Sequence, residues 1–232
     1  WRKLIMFKIN ELIGTPPFSL SKKEKLILFN NALPILTNHH YQQCSEYQSI
    51  LDSLKFDHSA SYSFDQFPFL PVSIFKDYNL FSIDEKIIYK TLNSSGTSGQ
   101  EVSKIHLDKG NASLQTKVLT KIVSSVLGNK RLPMLIIDSQ SIIKDRNLFT
   151  ARGAGIIGFS IFGKDVTYAL DENMELDFEK IKSFILRHKN EKIFIFGFTF
   201  IIWKYFVKYI HNNNLKLPRI NGVLIHGGGW KK

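Results

Sequence analysis

The sequence predicts an α/β protein with a mostly parallel sheet, helices on its faces and a helical layer at its N-terminus. Three runs, Pro133–Asp138, Lys192–Gly197 and Gly222–His226, are short and nearly continuously apolar, the pattern of strands buried on both faces. Helical stretches, Leu176–His188 and Thr199–Asn212, precede the second and third runs. Strand, helix, strand, helix, strand implies right-handed crossovers in one parallel sheet.

The N-terminal part is helical in pattern. Pro16-Pro17 breaks the first residues from Ser21-Lys22-Lys23-Glu24-Lys25, a helix start with a serine cap. Helices are expected over Ser21–Asn31 and Leu36–Lys55, the second with Tyr41, Cys44, Tyr47, Leu51 and Leu54 on one stripe. Cys44 on that stripe is expected to be a buried structural thiol. Residues 1–64 form this layer and 65–232 the α/β region, within one structural domain.

Phe67–Lys76 begins with two prolines three residues apart, so it reads as a non-helical apolar segment laid against the core. Ile87–Leu92 and Val102–Leu107 are strand candidates. Leu114, Val118, Ile122 and Val126, with Leu119, Val123 and Leu127 beside them, form one apolar helix face, and Gly128 supplies its stop. Ala151–Gly163 carries four glycines among large apolar residues from residue 153 onward, at Gly153, Gly155, Gly158 and Gly163. This suits either a surface along which an acyl chain slides or a tightly packed segment with bulges.

Composition limits the classes. With 44% hydrophobic residues and 19 Phe, the 232-residue chain has the material for a large core, not for disorder. The longest apolar stretch, Ile193–Trp203, is 11 residues, well short of the roughly 20 that span a bilayer. The single cysteine excludes an internal disulfide framework and suits a cytoplasmic setting. The net charge of +11 favours anionic ligands, but the lysines are scattered and no nucleic-acid-binding motif is present. The chain opens on Trp1 and is expected to be a fragment.

Chemistry concentrates in three loops. Asn93–Gln100 places the hydroxyls of Ser94, Ser95, Thr97 and Ser98 around Gly96 and Gly99, between two strand candidates. Glycine permits turns that aim successive N–H groups into one concavity, and hydroxyls add donors, so the loop suits a phosphate; a flexible spacer is the bland alternative. It is not a Walker loop, because Gly99 is followed by Gln100-Glu101 in place of lysine and a hydroxyl. Ligands of parallel sheets bind beyond the carboxyl ends of the strands, which groups this loop with the turn after Asp138 and with His226-Gly227-Gly228-Gly229-Trp230-Lys231. His39, His40 and His58 lack metal-ligand spacing and read as solvated surface. Arg152 is compatible with facing a phosphate or capping a strand.

Four blocks stand in order: Phe69–Lys76, Asn93–Gly99, Arg152–Gly163 and His226–Lys231. By these the chain resembles the large domain of the adenylate-forming superfamily, and more narrowly the acyl-protein synthetases of the LuxE type, relatives of phenylacetate-CoA ligase. The resemblance implies that a fatty acyl carboxylate attacks the α-phosphate of Mg2+-bound ATP, giving acyl-adenylate, before the acyl group passes to a thiol. It further implies that Ser94, Ser95, Gly96, Thr97, Ser98 and Gly99 hold the phosphates, that Gly227, Gly228 and Gly229 line the adenine and acyl-adenylate pocket, and that Gly155, Gly158 and Phe159 belong to the acyl pocket. His226 is the catalytic candidate, near the carboxylate and α-phosphate, with a structural role as the alternative.

Two departures qualify the resemblance. Lys104 stands where a lysine soon after the loop would do charge work, without the proline many relatives carry, and is also simply a solvated strand residue by position. The family's acidic Mg2+ ligand, ribose-binding aspartate, small C-terminal domain with its lysine, and acceptor cysteine all have no positions up to Lys232. This polypeptide is therefore expected to be catalytically incomplete, with no metal ligand of its own. An acyl-transferring or reductase protein is the expected partner, and the alternative function is a non-catalytic module of the same fold that docks an acidic carrier protein or enzyme.

Overall fold

The computed structural model describes residues 9–93, 102–144 and 151–229. The chain divides into two compact units, Trp1–Ser125 and Val126–Lys232.

In the first unit, helix α1 (Lys22–Gln43) begins at a capping box, in which Ser21 accepts from the Glu24 N–H and Glu24 reaches back to the Ser21 N–H. The helix continues through Pro34 and so bridges the gap expected between helices over Ser21–Asn31 and Leu36–Lys55. Pro34 has no N–H, so the helix forgoes one hydrogen bond there and still continues. The break falls instead at Cys44, extended and 4% exposed, from which α2 (Ser45–Ser53) starts. The thiol is buried, as its place on the apolar stripe predicted.

The proline segment does not lie against the core along its length: Phe69 is 84% and Val72 75% exposed, and Ile74–Asp77 closes it as the short helix α3. Phe67 is the part that packs, against Phe56 and Tyr62. Of the three histidines expected to be solvated, His40 is exposed and His39 and His58 are half-buried. His58 stacks on Tyr41 at 3.7 Å, and His40 meets the Ser82 hydroxyl at 2.7 Å.

Strand β1 (Lys90–Asn93) starts three residues later than predicted, because Glu85–Ile87 forms a 3-10 turn capped by Asp84. It pairs antiparallel with β2 (Lys104–Leu107), Asn93 opposite Lys104. Helix α4 (Lys109–Leu127) follows, with Gly128 at φ +88 after its end. Its buried side holds Val123 and Leu127, whereas Val118, Ile122 and Val126 are exposed, so the expected apolar face is rotated.

The second unit is built on a four-stranded parallel sheet, β3 (Leu132–Ser139), β4 (Gly163–Leu170), β5 (Ile193–Phe198) and β6 (Gly222–Gly227), in the order β4-β3-β5-β6. Short helix α5 (Ser141–Lys144) follows β3, and α6 (Ala151–Ser160) occupies the glycine-rich stretch expected to be a bulged or sliding segment. Helix α7 (Phe178–Arg187), capped by Asp177, leads to β5. After β5 the chain is α-helical over Thr199–Ile201, π-helical over Ile202–Val207 and α-helical again over Lys208–Asn212.

Side chains alternate across β5. Phe194 and Phe196 meet Phe159 of α6, while Ile193 joins Leu135, Ile137, Ile181, Phe184 and Ile185 in the core under α7. Each of these fully buried side chains stabilises by about 1.5–3 kcal/mol. With helices on both faces, this is the α/β arrangement that the apolar runs implied, but the third run is not buried on both faces: β6 lies at the end of the strand order, with Gly222, Leu224 and His226 exposed.

Candidate functional site

The strand order fixes where a site belongs. From β3 the chain moves outward to β4, then returns past β3 to β5, so the order reverses between β3 and β5. Ligands of open parallel sheets bind beyond the carboxyl ends of the strands at such a reversal. Asp138 and Ser139 end β3 there, Phe198 ends β5 with Thr199 directly after it, and His226 and Gly227 end β6 with Gly228 and Gly229 following.

Asp138 is fully buried, and an uncompensated carboxylate at that depth is costly. Arg152, on the first turn of α6, compensates it with a two-pronged grip: Nε donates to Oδ2 at 2.7 Å and Nη2 to Oδ1. The Ser139 N–H also donates to Oδ1, at 2.7 Å, and Arg152 Nη2 touches Met174 Sδ at 3.5 Å. Burial pushes the Tyr168 phenol up, and the Asp138 charge adds to the shift. Of the two roles open to Arg152, the described geometry shows a tether of α6 to the end of β3.

Two predicted glycine sites converge on one ring. A Cβ placed on Gly155 would lie 3.0 Å from Phe198 Cζ, and one on Gly228, at φ +78, 3.2 Å from Phe198 Cδ1. The ring thus abuts the backbone of α6 and that of the turn after β6. Gly227 and Gly229 differ, because a Cβ on either would meet nothing within 4 Å. Among the described residues, packing does not demand glycine at either position. Phe159 stacks on Phe196 with centroids 4.3 Å apart, and Gly158 lies half-buried on the same helix.

Thr199 gathers the turn. Its Oγ1 lies 2.9 Å from His226 Nδ1, 3.0 Å from the Gly227 carbonyl and 2.9 Å from the Gly228 carbonyl. His226 itself is exposed. Neither Thr199 nor the Asp138–Arg152 pair was singled out as a site from the sequence; the position of Thr199 directly after a buried strand, the same signal that marked His226, points to it.

The first unit holds the other predicted residues. Lys104 is exposed at the start of β2, paired with Asn93 at the end of the hairpin where the two strands are connected. The chain between those two partners carries Ser94, Ser95, Gly96, Thr97, Ser98 and Gly99, which lie outside the described residues, as do Trp230 and Lys231. Among the described residues no three His, Cys, Asp or Glu gather as a metal requires, and no helix is long and apolar enough to cross a membrane.

The chain matches the model of a family described as acyl-protein synthetase, LuxE, over residues 3–232. A curated relative, a long-chain-fatty-acid--luciferin-component ligase of Photorhabdus luminescens, is 36% identical over 61 residues. That segment is 26% of this chain and spans 52%, about half, of the relative's length.

Proposed function

The chain belongs to the LuxE acyl-protein synthetase family, and from that premise we propose that it contributes to ATP-dependent activation of a fatty acyl carboxylate as acyl-adenylate, with transfer to a thiol. The observation that carries the nucleotide part is the turn after β6, at the carboxyl ends of the parallel strands, where packing among the described residues does not demand glycine at Gly227 or Gly229.

In this reading Gly227, Gly228 and Gly229 receive the adenine and the acyl-adenylate, and His226 stands beside them. The hydroxyls of Ser94, Ser95, Thr97 and Ser98 restrain the phosphates, with Gly96 and Gly99 shaping their loop and Lys104 adding positive charge at the loop's base. Holding the triphosphate still and spreading its charge is what in-line attack on phosphorus demands. Gly155, Gly158 and Phe159 contact the acyl chain, beside the aromatic row of Phe196 and Phe198. Mg2+ enters with the phosphates, since the described residues offer no cluster to hold it. A fatty acid substrate, a protein partner for the acyl group and a cytoplasmic setting complete the proposal.

Titration calorimetry of the full-length protein with ATP and with a non-hydrolysable acyl-adenylate analogue tests it. Saturable binding of both is expected. If neither binds, the activation reading is wrong and the docking-module alternative takes its place.

A further inference from the structure

A hydroxyl has one proton, and Thr199 Oγ1 is surrounded by three groups that compete for it. The Gly227 and Gly228 carbonyls, at 3.0 and 2.9 Å, can only accept. When the proton is directed to them, Oγ1 presents a lone pair to His226 Nδ1 at 2.9 Å. A lone pair facing a ring nitrogen is a hydrogen bond only if that nitrogen carries the proton. We propose that Thr199 is a positioning residue that fixes neutral His226 with its proton on Nδ1, leaving Nε2 as a bare acceptor at the end of β6.

The consequence concerns what His226 can recognise. A ring whose outer nitrogen is a lone pair repels carboxylate and phosphate oxygens and accepts from a neutral donor, such as a ribose hydroxyl or a purine amine. His226 is then a reader of the nucleoside, not a partner of the α-phosphate. The choice of ligand rests on placing a nucleotide at the glycine turn, as proposed above; the tautomer does not.

The same hydroxyl ties three pieces of backbone and ring together. Thr199 follows Phe198, whose ring abuts Gly228, and Phe198 pairs in register with Gly227. The end of β5 therefore sets both the shape of the turn and the proton position on the ring beside it.

The test is long-range proton–nitrogen correlation spectroscopy of the histidine side chains in the full-length protein at about pH 8.5, well above the ordinary imidazole range. A His226→Gln variant assigns the signals. The wild type and Thr199→Ser are expected to show a protonated Nδ1 and a bare Nε2, and Thr199→Val a mixture of the two tautomers. A wild-type ring protonated on Nε2 overturns the proposal even if Thr199→Val fails to fold, and so does an unchanged tautomer in a folded Thr199→Val.

Calorimetry separates the nucleoside role. Adenosine is expected to bind Thr199→Val about tenfold more weakly than wild type, with Thr199→Ser close to wild type and pyrophosphate unaffected in both, the scale of one hydrogen bond. An equal loss for pyrophosphate overturns the nucleoside role. If adenosine fails to bind the wild type, the nucleotide reading and the nucleoside role fall together, and the spectra still decide the tautomer.

Discussion

Arg152 grips the fully buried carboxylate of Asp138 through two nitrogens, joining the first turn of α6 to the end of β3. The partner side chain is 28% exposed, so the pair is half-shielded from water. Arg152→Met leaves a buried charge that, among the described residues, the Ser139 N–H answers. The expected loss is about 3–5 kcal/mol in urea unfolding, against less than about 1 kcal/mol for removing the exposed Lys164–Glu191 pair. Similar losses for the two would show that Asp138 is not held as described.

Glycine substitutions separate packing from ligand approach. A Cβ on Gly163 would lie 2.7 Å from Met134 Sδ and 2.9 Å from Met134 Cβ, so Gly163→Ala is expected to destabilise by about 1–3 kcal/mol. Gly229→Ala meets nothing among the described residues, so its unfolding midpoint is expected to match wild type while ATP affinity falls. Unchanged affinity in calorimetry would remove Gly229 from the nucleotide site.

Acid stability is expected to depend on His188. Its Nε2 meets Asp165 Oδ2 and its Nδ1 meets Glu191 Oε1, each at 2.7 Å. The His188 hydrogen bond, aided by Arg187, holds the Asp165 carboxyl below its usual range, and Lys164 followed by His188 does the same for Glu191. Carboxyls depressed in the folded state stabilise fully above their unfolded pKa values and lose that contribution as pH falls through the folded ones. The urea midpoint should therefore drop in wild type as pH falls below the ordinary carboxylate range, about pH 4. In His188→Gln the drop should be smaller.

Cys44 is 4% exposed at the junction of α1 and α2. Its reaction with a thiol reagent is expected to be slow in native buffer and rapid in denaturant, since thiolate chemistry needs access. Fast native labelling would place the junction among the locally opening parts of the chain.

The strands that read clearly were those whose apolar runs were continuous. Met134, Leu135, Ile136 and Ile137 are all buried, and so are Ile193, Phe194 and Phe196. Strand β4 was not predicted, because Lys164, Asp165 and Val166 are exposed between buried Gly163 and buried Thr167 to Leu170, which gives neither a run nor an alternation. Helix α6 was also misread, since glycines count against a helix in isolation. Here Gly155 lets the helix backbone approach Phe198, and the packing outweighs the propensity.

By itself the sequence determined the chemistry that depends on residue type and local spacing: the Ser21 helix cap, the helix stop at Gly128, the buried strands β3 and β5 and the glycines after β6. Family membership was also legible, from four blocks in order. Only the tertiary structure decided what depends on distant residues meeting, namely the Asp138–Arg152 tether, the Phe198 ring between Gly155 and Gly228, and the Thr199 hydroxyl beneath His226. The reason is topological. The reversal of strand order between β3 and β5 gathers the ends of segments up to about ninety residues apart, and no local pattern encodes that neighbourhood.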